Sequence, residues 1–171
     1  MSKAKKKITT EVLTVKDEKF NVDHLDKYIL SLSFSTNSVK CSVLEPKEKR
    51  ILWFDHISWE DESRILDALD EIYDNHNFLA AGFWKRVLVA EDNPFFTLVP
   101  STFFEKSKET EILRTTFGDF DPTLDSRSHK HAELGFHSVF LSNKSVLDYL
   151  KKKYPKKQIV HTHSADGKTK S

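Results

Sequence analysis

From Tyr28 to Phe34 apolar and polar positions alternate, with Leu30, Leu32 and Phe34 in one set and Ser31 and Ser33 in the other. Alternation with period two marks a strand with one buried face. It resumes at Val39, Cys41 and Val43 against Lys40 and Ser42. Between the runs stand Ser35, Thr36, Asn37 and Ser38, all turn-forming types, so residues 28–44 predict a β-hairpin. The polar EPKEKR at 45–50 leads into ILWFDHI, a third strand, and the three make an antiparallel meander. The period then changes. Ile65, Leu66, Leu69, Ile72 and Tyr73 fall on one helical face, and Ser58 with Asp61 has the spacing of a capping box ahead of them.

Beyond the NHN turn at 75–77, KRVLVA at 85–90 predicts a buried strand and FFTLV at 95–99 another. A short helix is expected through Phe103 and Phe104. A second follows, capped by Ser107, carrying Ile112, Leu113 and Phe117, and ended by Gly118. Residues 119–131 read as a polar loop. The remainder is strand, helix and strand: GFHSVFLS, NKSVLDYLKKKY and KQIVHTH. This order predicts one α/β domain with a mixed sheet over residues 25–163. Residues 1–24 form a polar tail, partly disordered, and residues 164–171 a second tail. The expected core is Leu30, Leu32, Val43, Leu66, Leu69, Val87, Val89, Phe140 and Leu147.

Composition narrows the function classes. Lysine and arginine total 27 against 26 acids, which weighs against a wholesale nucleic-acid or membrane-surface binder. The single cysteine, Cys41, cannot form an internal disulfide, and no apolar run reaches the roughly 20 residues that cross a bilayer. The basic opening lacks the apolar centre of a signal peptide, and the expectation is a cytoplasmic protein. Four glycines are few for a phosphate-binding enzyme, because glycine lets backbone approach phosphate. Thirteen phenylalanines point to packing.

The stretches YILSLSFSTNSVKCSVLEP, RILWFDHISW, FFTLVPSTFFE and VFLSNKSVLDYLKKKYPKKQIVHTHSA resemble the first lobe of the actin-like ATPase superfamily, which shares its topology with RNase H-like domains. Within that superfamily the chain resembles a family of uncharacterised bacterial proteins, a domain of unknown function with an actin-like fold. The resemblance implies a nucleotide cleft closed by a second lobe, with ATP and magnesium as cofactors. Active members place an acid and a glycine in the first hairpin, the acid for metal-bound water and the glycine amide for phosphate. Ser35-Thr36-Asn37-Ser38 has neither and offers at most a weak phosphate contact. The resemblance ends at IVHTHSA, where relatives continue into the second lobe. It therefore implies apolar surface near residues 134–153 open to self-association or to a second protein, centred on Phe136, Val139, Leu147, Tyr149 and Ile159.

Other chemistry stands beside plainer readings. His161 and His163 have strand spacing i, i+2 and His129 with His131 repeats it, which is how zinc sites present paired ligands; histidines in polar segments are more often solvated. An RNase H-like nuclease needs several carboxylates on its central strands, and Asp55 is the one well-placed acid. Cys41 beside His56 suggests a thiol nucleophile, but its apolar neighbours favour a buried, inert thiol. The terminal GKT lacks the upstream glycine of a phosphate loop. Lys151, Lys152, Lys153, Lys156 and Lys157 suit a helix C-terminus. The function expected is a non-catalytic interaction or scaffold module without a cofactor; the alternative is a nucleotide-binding subunit completed by another chain.

Overall fold

The computed structural model describes residues 8, 10–155 and 158–159. Its strands are β1 Thr10–Lys16, β2 Ile29–Phe34, β3 Ser38–Glu45, β4 Arg50–Trp59, β5 Arg86–Glu91, β6 Phe96–Pro100, β7 Leu124–His131, β8 Phe136–Asn143 and β9 Gln158–Ile159. Its helices are α1 Ile65–Asn75, α2 Glu109–Phe117 and α3 Lys144–Lys153. The described chain divides into two compact units, one running up to Ala90 and taking in Tyr149–Ile159, the other Glu91–Asp148.

The first unit is built on a six-stranded mixed sheet in the order β1-β4-β3-β2-β5-β9. β2, β3 and β4 form the predicted meander, with Leu32 opposite Cys41 and Cys41 opposite Asp55. β9 joins β5 in parallel. Because side chains alternate across a strand, Leu30, Leu32, Phe34, Val39, Cys41 and Val43 all leave one face, and all are buried. Helix α1 lays Leu69, Ile72 and Tyr73 against Leu32, Phe34 and Val39, with Leu79 and Leu150.

The second unit has its own antiparallel sheet in the order β6-β8-β7. Its core is Leu113, Val139 and Leu141, with Val99, Phe104, Phe117, Phe120 and Leu124 packed around them. Gly118 ends α2 as expected, at a φ of 80° that a side chain would strain, and its N–H reaches the Arg114 carbonyl at 2.8 Å.

Several sequence expectations are corrected. Regular structure starts at Thr10, not Leu25: the TEVLTVK strand pairs with β4 over seven positions, its backbone supplied with a partner that local polarity does not reveal. Residues 124–131 are strand rather than loop. Phe103 lies in a turn, and only a short 3-10 segment, Lys106–Lys108, precedes α2. Ser107 sits inside that segment, and α2 has no side-chain cap. Ser58 is part of β4; Asp61 alone caps the next turn, accepting from the Ser63 N–H. Among the expected core residues Leu66 is 38% exposed: it stands on the same stripe as Leu69 and Tyr73 but in the first turn of α1, ahead of the buried residues; the other eight are buried.

Burial therefore separates two leucines three residues apart. Leu69→Ala is expected to cost about 2–5 kcal/mol in equilibrium denaturation, and Leu66→Ala less than about 1 kcal/mol. Equal losses would contradict this difference in burial.

Candidate functional site

Asp55, on β4, is 2% exposed. Its row across the sheet runs from Cys41 on β3 to Thr14 on β1. A carboxyl group placed there has to find donors, because an unsatisfied buried polar group costs about 1–3 kcal/mol. It finds three. The Thr14 hydroxyl donates to Oδ1 at 2.6 Å, the Trp53 indole N–H donates to Oδ2 at 2.6 Å, and His76 Nε2 lies 2.8 Å from Oδ2. The Phe78 N–H points at His76 Nδ1 from 3.5 Å, so Nδ1 is the acceptor and the Nε2 hydrogen is the one given to Asp55. The imidazole meets the ring of Phe78 edge-on, 4.5 Å between centroids. His76 follows directly on α1, so the cluster ties the edge strand, its neighbour and the end of the helix together.

A cavity of about 400 Å³ opens beside this cluster. Thr10, Val12 and Thr14 of β1 line it, together with Glu71 and Asn75 of α1 and Asn77 just beyond the helix. Two acids, Asp55 and Glu71, line it, without lysine or arginine. A phosphate entering there meets like charge.

The Ser35–Ser38 turn is closed on itself. Ser35 Oγ lies 2.8 Å from Ser38 Oγ and 3.2 Å from Asn37 Oδ1, and the Ser35 N–H donates to the Ser38 carbonyl at 2.9 Å. The Asn37 carbonyl accepts the Trp59 N–H at 3.0 Å. None of the four residues has a positive φ, so the turn lacks the alternating-handed backbone that aims successive amides at an anion.

Cys41 and His56 are not a pair. Cys41 stands opposite Asp55, whereas His56 stands opposite Lys40 and leaves the other face. Cys41 is fully buried, and desolvation, with Asp55 adding to it, pushes the thiol far above its ordinary range. His129 and His131 share one side of β7, 4.9 Å between ring centroids, and His131 Nε2 lies 3.1 Å from Ser138 Oγ. Among the described residues no group of three or more His, Cys, Asp or Glu is arranged to hold a metal ion. His161, His163, Lys156, Lys157 and the terminal GKT lie outside the described residues. Lys151, Lys152 and Lys153 end α3, with Lys153 Nζ 5.1 Å above the Tyr73 ring.

The residues expected at an apolar interface differ in burial. Val139 and Leu147 are buried. Phe136 and Tyr149 are half-buried, against His131 and Tyr73 respectively. Ile159 pairs with Val89 through β9. In the second unit, Glu91 accepts from the Ser142 hydroxyl at 2.7 Å and the Asn143 N–H at 2.8 Å, and its burial raises its pKa.

Sequence reasoning found Asp55 but missed Thr14 and His76. Thr14 stood in a segment read as tail, where the β-branched Val12, Thr14 and Val15 were the available signal. His76 stood in a turn whose partner lies 21 positions earlier.

Residues 17–165 match the model of a family described as Protein of unknown function (DUF3822). The chain belongs to that family. No curated protein matches it. Its fold is similar to that of a Bacteroides thetaiotaomicron protein whose crystal structure is described as having an actin-like ATPase fold and unknown function. The TM-score is 0.68 at 20% identity, over 85% of this chain and 56% of that one. The mixed α/β fold is thus an actin-like one, as the sequence resemblance implied, and this chain spans little more than half the length of that neighbour. Among the described residues no helix is long and apolar enough to cross a membrane.

Asp55→Ala is expected to destabilise the chain by about 1–3 kcal/mol, since it strips the indole, hydroxyl and imidazole donors of their acceptor. Urea unfolding of the variant measures this. Unchanged stability would mean that the cluster does not hold the sheet edge to α1.

Proposed function

We propose that this chain is a non-catalytic protein-interaction module built on a degenerate actin-like lobe. The observation that carries the reading is the Ser35–Ser38 turn, whose serine hydroxyls are engaged with each other and whose backbone has no positive φ. A phosphate site needs amides and hydroxyls turned outward over a concave backbone, together with an acid to organise the metal-bound water. The turn contains no acid, and both oxygens of Asp55 already accept hydrogen bonds from Thr14 and Trp53. What such a lobe keeps is a packed sheet with surfaces for other proteins.

Calorimetry with ATP and magnesium tests this. The expected result is no binding heat at micromolar concentrations, unchanged by Thr36→Ala or Ser38→Ala. Magnesium-dependent micromolar binding that either substitution abolishes would overturn the reading and favour a nucleotide-binding subunit completed by another chain.

A further inference from the structure

We propose that the cavity lined by β1 and α1 receives an arginine side chain of a partner protein. The inference rests on the interaction-module reading and names the surface and the chemistry of what enters it.

The cavity, about 400 Å³, falls in the size range of ligand sites. Val12, Ile57 and Ile72 supply apolar lining, and Val12 is left 58% exposed. Its charge is one-sided. Glu71 accepts the Ile8 N–H at 3.0 Å, a neutral donor, and no cation pairs with it among the described residues. No basic residue stands in the last turn of α1, where a cation would answer the helix dipole. Lys16, on the cavity side of β1, is six residues beyond Thr10, roughly 20 Å along the strand. Its Nζ lies over the Trp53 ring, 5.5 Å from the centroid. Glu71 is therefore a carboxylate without a counter-ion beside apolar surface, a local cost that a bound cation relieves.

The donor requirement of the cavity selects the cation. A bare metal ion finds no nest here, since among the described residues no three His, Cys, Asp or Glu are arranged to hold one. Asn75 donates its Nδ2 hydrogen to the Glu71 carbonyl at 2.7 Å, which leaves its Oδ1 as an acceptor. The cavity thus offers a carboxylate and an amide oxygen from residues one helical turn apart, both calling for N–H donors. A guanidinium carries five such hydrogens in one plane and sheds water more readily than an ammonium group. Its methylene stem covers Val12 while its head meets Glu71. Arginine is also enriched, and lysine depleted, where proteins meet, which favours a protein as the source.

Titrating the full chain with an acetylated, amidated Ala-Arg-Ala peptide while recording its NMR spectrum tests the inference. The expected result is saturable shifts at the Trp53 indole N–H, the Asn75 side-chain amide and the β1 amides. Exchanging the arginine for citrulline, which keeps the shape and loses the charge, is expected to weaken binding about tenfold or more. That comparison uses the unmutated chain and does not depend on any variant folding. Glu71→Gln, with unchanged circular dichroism, is expected to weaken the arginine peptide to the same degree. No saturable shift, a citrulline peptide that binds as well, or full binding by folded Glu71→Gln overturns the proposal. Spermidine that binds at the same residues as tightly as the peptide also overturns it, making the cavity a site for a free polyamine. Nucleotide calorimetry is decided separately. A chain that binds neither peptide nor ATP sinks the arginine site and leaves the module reading intact, whereas ATP binding overturns that reading whatever the peptide does.

Discussion

A carboxyl group inside a sheet has to be answered by donors, and in this chain the answer to Asp55 organises everything around it. Thr14 brings the edge strand, Trp53 brings the next residue on the same face of β4, and His76 brings the end of α1. Hydrogen bonds to a charged or strongly polar acceptor are worth about 1.5–3 kcal/mol each, comparable with burying a large apolar side chain. β1 has few other ties of this strength, because most of its side chains are exposed. The cluster explains why a strand with exposed valines and a leucine stays in register with β4.

The first hairpin, where the sequence resemblance implied a phosphate contact, is occupied with itself: β2 and β3 are joined by a turn closed on its own serines and tied by Asn37 to the end of β4. The cavity beside Asp55 is the wrong sign for a phosphate. A similarity at 20% identity carries the fold and nothing of the activity.

How much of this was legible in the sequence depended on whether structure was written in side chains or in backbone pairing. The β2–β3 hairpin and α1 announce themselves because one face of each is apolar and the other polar, so period alone reveals them, while β4 and β5 show as short, mainly apolar runs bounded by polar residues. β7, Leu124–His131, offers no such contrast: LDSRSHKH is polar at nearly every position, and it is a strand because β8 supplies a full ladder beside it. β1 was hidden for a different reason, being flanked by lysines that dominate a local reading of polarity. The Asp55 site was half visible. The acid stood out on its strand, but Thr14 lies 41 positions away and His76 21 away, and nothing local links them.

The account stands on Asp55 being a structural acid, its oxygens taken by the protein, rather than a ligand kept for a metal. Titrating the chain with manganese while following the Trp53 indole N–H resonance by NMR tests that claim most directly. The account predicts that the resonance stays sharp, as do those of Thr14 and His76. Paramagnetic broadening confined to these three residues at micromolar metal would contradict it and place a cation on Asp55.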